Sequence, residues 1–263
     1  MNPDSLNGRQ PLKLVRLPIS PRARGVLSAR KDYTESDPTV NEEQRLDAMI
    51  LPLFPLHTVL FPGMALPLHI FEPRYRLMVN ECLRTGNSFG IVLINSGREV
   101  GEPAVPHRVG TTAHIAGAER LPDGRLNIEV VGQQRFRILD LSQDQAYLSG
   151  TVEEFPLAGA DERPARRSAR ALLPWLGRYL TLLGDKADAK FDAADMPRDP
   201  TSIGYLAAIV AQIPMLEKQR LLGLVTATEL LERERAIYRR ETALLRAMLS
   251  SDRPTDTTSF SPN

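Results

Sequence analysis

Glu72, Arg74 and Tyr75 stand together at the end of a proline-punctuated apolar run. They are the first residues in the chain whose types invite a chemical reading. A guanidinium such as that of Arg74 can grip a carboxylate through two parallel hydrogen bonds, so an acidic group of a bound peptide could dock there. The plainer expectation, and the favoured one, is that Arg74 pairs with a nearby acid or caps backbone carbonyls. Arg163, Arg166, Arg167 and Arg170 fall at i, i+3, i+4 and i+7, which is one face of a helix. Such a face could contact an anion, RNA included, although a solvated face is the plainer expectation at a net charge of +1. His57, His69, His107 and His114 include no pair at the spacing of a helical metal site, and Cys82 is the single cysteine, so no metal site is expected. No nucleophile–base or acid–base grouping stands out. The G-x-x-x-x-G-K-[ST] loop that cradles nucleotide phosphates is missing from the sequence. Neither a catalytic residue nor a cofactor is expected.

Length and composition fit that view. A chain of 263 residues holds one large or two small domains. Apolar residues at 42% and charged residues at 25% are ordinary for a globular protein. One cysteine rules out an intrachain disulfide, and no apolar run reaches the length of a membrane span. A cytoplasmic, bacterial setting is expected. Residues 1–48 lack sustained periodicity and read as a disordered extension. Between Ser5 and Arg30 they carry five arginines, one lysine and no acid, so an organellar transit peptide is the alternative. The favoured reading is a dispensable extension or a misplaced start, because Met49 sits directly before the first strand.

The residues that could do chemistry must be positioned by the stretch from Leu51 to Arg76. Its five prolines exclude a regular helix and confine strands to edges, starts and bulges. The pattern predicts a strand over Leu51 to Leu56, a continuation from Thr58 to Phe61, a turn at Pro62-Gly63 and a second strand from Ala65 to Phe71. Pro73 then opens a helix whose buried face is Leu77, Met78 and Cys82. Thr85-Gly86-Asn87 ends it. Phe89 to Ile94 reads as a buried strand turned by Asn95-Ser96-Gly97, with a loop over Gly101 to Pro106. Pro122-Asp123-Gly124 joins Thr111–Glu119 to Arg125–Val131 as a hairpin. Gly132 is expected to break the second arm before a half-exposed strand at Arg135–Leu141 and a last one over Tyr147 to Phe155. The result is a closed or nearly closed β domain at 50–157.

Beyond Ala158-Gly159-Ala160 the period becomes helical, and a subdomain over 161–249 is expected before a disordered tail at 250–263. Leu172, Leu176, Tyr179 and Leu183 give a stripe in a helix from Arg163 to Leu183, with Pro174 as a kink or a late start. Asp185 to Arg198 reads as a polar linker. Asp199-Pro200 caps the next helix, which carries Ile203, Leu206, Ala207, Val210 and Ile213 up to Pro214. A short helix spans Met215 to Leu222. The last, Val225 to about Leu249, repeats apolar pairs every seven residues (Leu230-Leu231, Ile237-Tyr238, Leu244-Leu245) and would reach roughly 35–40 Å.

The proline-rich run with its Phe-Glu-Pro-Arg-Tyr end, and the Gly-Gln-Gln-Arg-Phe-Arg segment at 132–137, resemble the amino-terminal domain of Lon proteases. The resemblance extends over about 50 to 249. It implies an α+β fold: a PUA-like β pseudo-barrel with one helix, followed by a helical bundle with a long final helix. It also implies a substrate-binding role, since the family's ATPase and Ser-Lys peptidase regions have no counterpart here and proteolysis is not expected of these residues. An exposed apolar groove between barrel and bundle would then hold unfolded polypeptide. Phe54, Phe61, Phe71, Glu72, Arg74 and Tyr75 are the candidate peptide contacts, and sheet-edge addition is the candidate mode. Expected partners are an unfolded polypeptide or a separate protease, with no membrane. An RNA-binding module using the arginine face, and a scaffold self-associating through the seven-residue repeat, remain open.

Overall fold

In the computed structural model, which describes residues 48–97, 104–187 and 196–251, the prolines do what their missing donors dictate. Pro52 and Pro55 lie within β1 (Met49–Leu56), and Pro67 lies within β2 (Ala65–Ile70). Between these strands, Thr58 to Phe61 is irregular rather than a strand continuation. Pro73 opens α1 (Pro73–Thr85) and Gly86 closes it, its N–H bonded to the Cys82 carbonyl. Met78 and Cys82 are buried as expected, but Leu77 is 56% exposed, and Tyr75 and Val79 complete the inner face instead. A spacing of i, i+3, i+4, i+7 accommodates Tyr75, Met78, Val79 and Cys82, and Leu77 falls outside it.

The sheet is built from β1, β2, β3 (Phe89–Ser96), β4 (Val105–Pro106), β5 (Val109–Arg120), β6 (Leu126–Ser142) and β7 (Ser149–Glu154). The order β1-β7-β6-β5-β3 closes because β1 also pairs with β3, in parallel, with α1 in the crossover between them. The ring is irregular. One edge of β6 follows β5 along almost its whole length, whereas its other edge takes β2 at Leu126–Val131 and β7 at Phe136–Ser142. Bulges in the β5–β6 and β6–β7 ladders provide the bending that such branching needs. The predicted Pro122-Asp123-Gly124 turn is present, with Gly124 at φ 82°. β3 runs on through Asn95 and Ser96, where a turn was expected.

Gly132 does not break a strand: β6 runs through it unbroken for 17 residues. Its glycine has another reason. A side chain there would collide with the Phe61 carbonyl oxygen and meet the carbonyl carbon at 3.0 Å, because the Leu60–Met64 turn crosses β6 at this point. Gly132 N–H donates to the Met64 carbonyl at 2.9 Å, and Gly63 N–H donates to the Gly132 carbonyl at 2.8 Å.

Alternation along β1 divides the barrel interior. Leu51 and Leu53 join Val92, Phe136, Ile138 and Val152 in one cluster, while Phe54 and Leu56 face α1 with Tyr75, Met78 and Phe89. A third cluster belongs to the helices α2 (Arg163–Ala187), α3 (Pro200–Val210), α4 (Met215–Leu222) and α5 (Ala227–Ser251). α2 continues through Pro174, so neither a late start nor a break occurs there. Asp199 caps α3 through Ser202 N–H at 2.8 Å, and α3 ends at Val210, before Ile213. Tyr179 and Tyr238 meet edge to face, and the Tyr238 hydroxyl donates to the Ala207 carbonyl at 2.7 Å, binding α2, α3 and α5 together. The seven-residue repeat has an internal use. Leu230, Leu231, Ile237 and Tyr238 are buried within this core, and of the third pair Leu244 is 48% exposed. The expected extension up to residue 47, the loop at 101–103, much of the polar linker and the tail beyond Ser251 lie outside the described residues; Val105 and Pro106 of the expected loop form β4, and α5 takes in Ser250 and Ser251 of the expected tail.

Barrel and bundle are one packed body, because Val59, Phe61 and Leu93 of the β half belong to the helical core. The seam also has polar ties. Arg135 on β6 is 3% exposed, and its Nη1 donates to the carbonyls of Leu222, the last residue of α4, and Leu224, just after it, at 2.6 and 2.7 Å. Gln219 Nε2 donates to the Val109 carbonyl at 2.9 Å. Ala158 bridges to the start of α5, donating to Val225 and accepting from Ala227 at 2.9 Å each.

Two outcomes follow for stability. Gly132→Ala pushes a methyl group against backbone that cannot swing aside, and a loss of about 1–3 kcal/mol is expected, read from the urea midpoint at unchanged m. Glu234 on α5 is 1% exposed, and neither carboxyl oxygen has a partner among the described residues. Burial raises its pKa well above 4.5. A raised folded-state pKa favours the acid form in the native state, so this contribution is full below the unfolded pKa and is lost as pH rises through the folded one. Relative to Glu234→Gln, the native protein should therefore lose stability from about pH 4.5 upward, at up to about 1.4 kcal/mol per pH unit. Parallel urea titrations across pH check it; a difference that stays flat from pH 4 to 7 would refute it.

Candidate functional site

The proline-rich segment places its aromatic residues in two different environments. Phe54 is 7% exposed and Phe61 0%. Phe54 packs on the Tyr75 ring at 4.2 Å between centroids, and Phe61 plugs the junction of barrel and bundle. The groove expected at that junction is therefore filled, and its own apolar residues fill it. Tyr75, at 3% exposure, is likewise interior. These three rings support the surface from behind and offer no face to a ligand.

Glu72 and Arg74 are drawn into the same structural unit. Arg74 Nε donates to Glu72 Oε2 at 2.9 Å, and its guanidinium lies 4.5 Å from the Tyr75 ring centroid. An arginine with a carboxylate on one side and an aromatic face on another is held for packing. Glu72 itself sits at the N-cap of α1 in extended conformation, so the pair fixes the corner at which strand becomes helix.

Phe71 is the candidate contact that the fold leaves outside, at 50% exposure. It follows the last residue of β2, and its ring stacks with His69 at 6.2 Å between centroids. His69 Nδ1–H donates to Asn127 Oδ1 at 2.7 Å, which leaves Nε2 to accept from Arg125 Nη1 at 3.3 Å, and Asp123 holds Arg125 in turn at 2.6 Å. β2 is paired with β6 on one side, and no described residue pairs with its other edge. The bonds around Gly132 and Met64 set the ladder phase. In an antiparallel pair, bonded residues alternate, so Leu66, Leu68 and Ile70 turn their amides to β6, and Ala65, Pro67 and His69 turn outward. Pro67 has no N–H, so it costs the β6 ladder nothing. The open edge offers two donors and three carbonyls beside an exposed phenyl ring.

The arginine face separates. Arg163, Arg166, Arg167 and Arg170 are all exposed. Arg163 and Arg167 line a cleft of about 460 Å³ between α2 and α5, and Arg166 and Arg170 do not. α5 contributes Glu232 and Arg235 to the same cleft. Those two, and Ser168 on α2, escaped sequence reasoning as site residues, although they lie in or beside conspicuous charge blocks. Which blocks face each other depends on how α2 and α5 pair, and no motif encodes that.

The remaining sequence candidates stay apart. No three His, Cys, Asp or Glu side chains among the described residues gather closely enough to hold a metal ion. Cys82 lies under α1, where burial pushes its thiol up to about 11, far from a reactive thiolate. No helix among the described residues is long and apolar enough to cross a membrane.

Comparison with known proteins matches this arrangement. Residues 50–239 fit the family described as the ATP-dependent protease La (LON) substrate-binding domain. Lon protease 2 of Myxococcus xanthus is 27% identical over 202 residues, 72% of this chain and 24% of that protein. Lon protease of Flavobacterium johnsoniae is 30% identical over 125 residues, 47% of this chain and 15% of that protein. The chain thus spans a quarter or less of these relatives' length. Among solved structures, a Lon N-terminal domain protein from Xanthomonas campestris superposes with a TM-score of 0.51 at 28% identity, covering 72% of this chain and 98% of that one. The N-terminal domain of the Mycobacterium avium complex Lon protease shares the fold, with a TM-score of 0.56 at 19% identity, covering 74% and 98%. The irregular strand ring, the single crossover helix and the helical half carrying a long last helix are features of one family, and the chain belongs to it: the LON substrate-binding domain family.

Proposed function

We propose that this chain binds extended, unfolded polypeptide along the outer edge of β2, without cutting it, and presents it to a separate protease. The observation that carries the reading is the open β2 edge ending at exposed Phe71. A client strand laid there would accept hydrogen bonds from the Ala65 and His69 amides and donate to the Pro67 carbonyl. Main-chain pairing makes little demand on client sequence. One client side chain would rest on the Phe71 ring, which turns the edge from a row of polar groups into an amphipathic shelf. The family's substrate-binding character supports the reading.

Binding of a fluorescently labelled, reduced and denatured protein, followed by anisotropy at moderate salt, tests it. Saturable binding that survives added salt is expected, since no ion pair is involved. Phe71→Ser removes a half-exposed ring worth about 1 kcal/mol of contact, so affinity should fall roughly fivefold with the urea midpoint little changed. Absence of binding, or binding indifferent to Phe71→Ser, overturns the proposal.

A further inference from the structure

The geometry points to a second site, independent of the β2 edge: the cleft between α2 and α5, which we propose binds a diphosphate group. Arg163 and Arg167 stand one turn apart on α2, and Arg235 faces them from α5 across an opening of about 460 Å³. Each guanidinium carries five N–H donors in a fixed fork, and two-sided presentation suits an anion with oxygen atoms on more than one centre. A single carboxylate satisfies one fork, whereas two linked phosphates can engage all three.

No ion pair among the described residues neutralises these arginines, a condition they share with other exposed arginines of the chain; what distinguishes them is that they line one cleft. Arg74, Arg84, Arg125 and Arg137 each hold a carboxylate, and Arg240 holds two. Among the described residues, Arg163, Arg167 and Arg235 hold none. The acid best placed to neutralise one of them is Glu232, three residues before Arg235 on α5 and itself in the cleft wall. Its Oε1 instead accepts from the Ser168 hydroxyl at 3.3 Å, and Ser168 is 9% exposed. The serine holds the carboxylate to the wall, away from its helical neighbour, and the cleft keeps an excess of two positive charges. Arg166 and Arg170 are exposed on α2 outside the lining, which makes them the neighbours against which the lining arginines are compared.

The test is calorimetric titration of the full chain with sodium pyrophosphate at moderate salt, with ADP, orthophosphate and a single-stranded RNA oligomer in parallel. One saturable site for pyrophosphate is expected, with orthophosphate at least tenfold weaker. Equal affinity for ADP would assign recognition to the diphosphate alone, and tighter ADP binding would assign the source to a nucleotide; both support the proposal. Arg167→Ala and Arg235→Ala should each weaken pyrophosphate at least tenfold, and Arg166→Ala should not. Glu232→Gln should tighten it severalfold, a gain that a merely structural glutamate would not give. All four side chains are at the cleft rim or surface, and unchanged melting curves confirm intact folds. No saturable pyrophosphate binding, indifference to Arg167→Ala and Arg235→Ala, or binding of RNA alone overturns the proposal. None of these results depends on Phe71.

Discussion

The Arg135 guanidinium is the constraint on which the two halves of this molecule depend. A guanidinium does not shed its proton in a protein interior, so burial at 3% exposure leaves the charge to be met by neighbours. Its Nη1 takes two carbonyls at the C-terminal end of α4, those of Leu222 and Leu224, where the negative end of a helix favours a cation. The Phe155 ring lies 4.6 Å away, with Arg137 4.1 Å from the same ring. Tyr205 moderates the lowering of its pKa that burial imposes. Nε and Nη2 have no hydrogen-bond partner, so the arrangement is not an optimum of stability. A buried charge with defined acceptors penalises any other docking of barrel on bundle.

That seam explains which sequence expectations were sound. Features governed by local stereochemistry were legible: Pro73 and Asp199-Pro200 at helix starts, Gly86 at a helix end, the Pro-Asp-Gly hairpin. The resemblance carried the topology, which periodicity alone does not reach. What escaped was long-range. Gly132 looked like a strand breaker, because nothing near it in sequence announces that the Phe61 carbonyl passes over it. Phe54 and Phe61 looked like ligand contacts because aromatic side chains in a proline-rich run resemble a binding groove. The cluster under α1 consumes Phe54, and the junction between barrel and bundle consumes Phe61. The first two heptad-like pairs of α5 pack inward on α2 and α3. A seven-residue apolar repeat says that one face of a helix is covered, and says nothing of whether the cover is another chain.

Arg135 and Glu234 are both charged residue types stripped of water, and they answer burial differently. Glu234 can become neutral, and burial raises its pKa in favour of that form. Arg135 cannot, and so must be coordinated. The bundle interior therefore carries a group whose ionisation opposes folding, whereas the barrel–bundle seam carries a fixed charge. Phe54 and Tyr75 behind the β2 corner are anchored in the α1 cluster, and the ion pair of Glu72 with Arg74 closes it from above.

Pro67 decides what such an edge can accept. A bare strand edge pairs with copies of itself, and proline is one of the means by which proteins prevent this. Here the proline occupies the middle of three outward positions. Two copies of β2 brought together antiparallel about Pro67 would face each other at a point where neither has a donor. A client strand with ordinary residues suffers no such mismatch. It supplies an N–H to the Pro67 carbonyl and meets the Ala65 and His69 amides on either side. Under the proposed reading one substitution therefore does two things: it denies the edge to the protein's own strand and leaves it usable by an unfolded chain. A binding module can expose such an edge and the half-bare Phe71 ring without a lid, because discrimination against itself is written into the backbone.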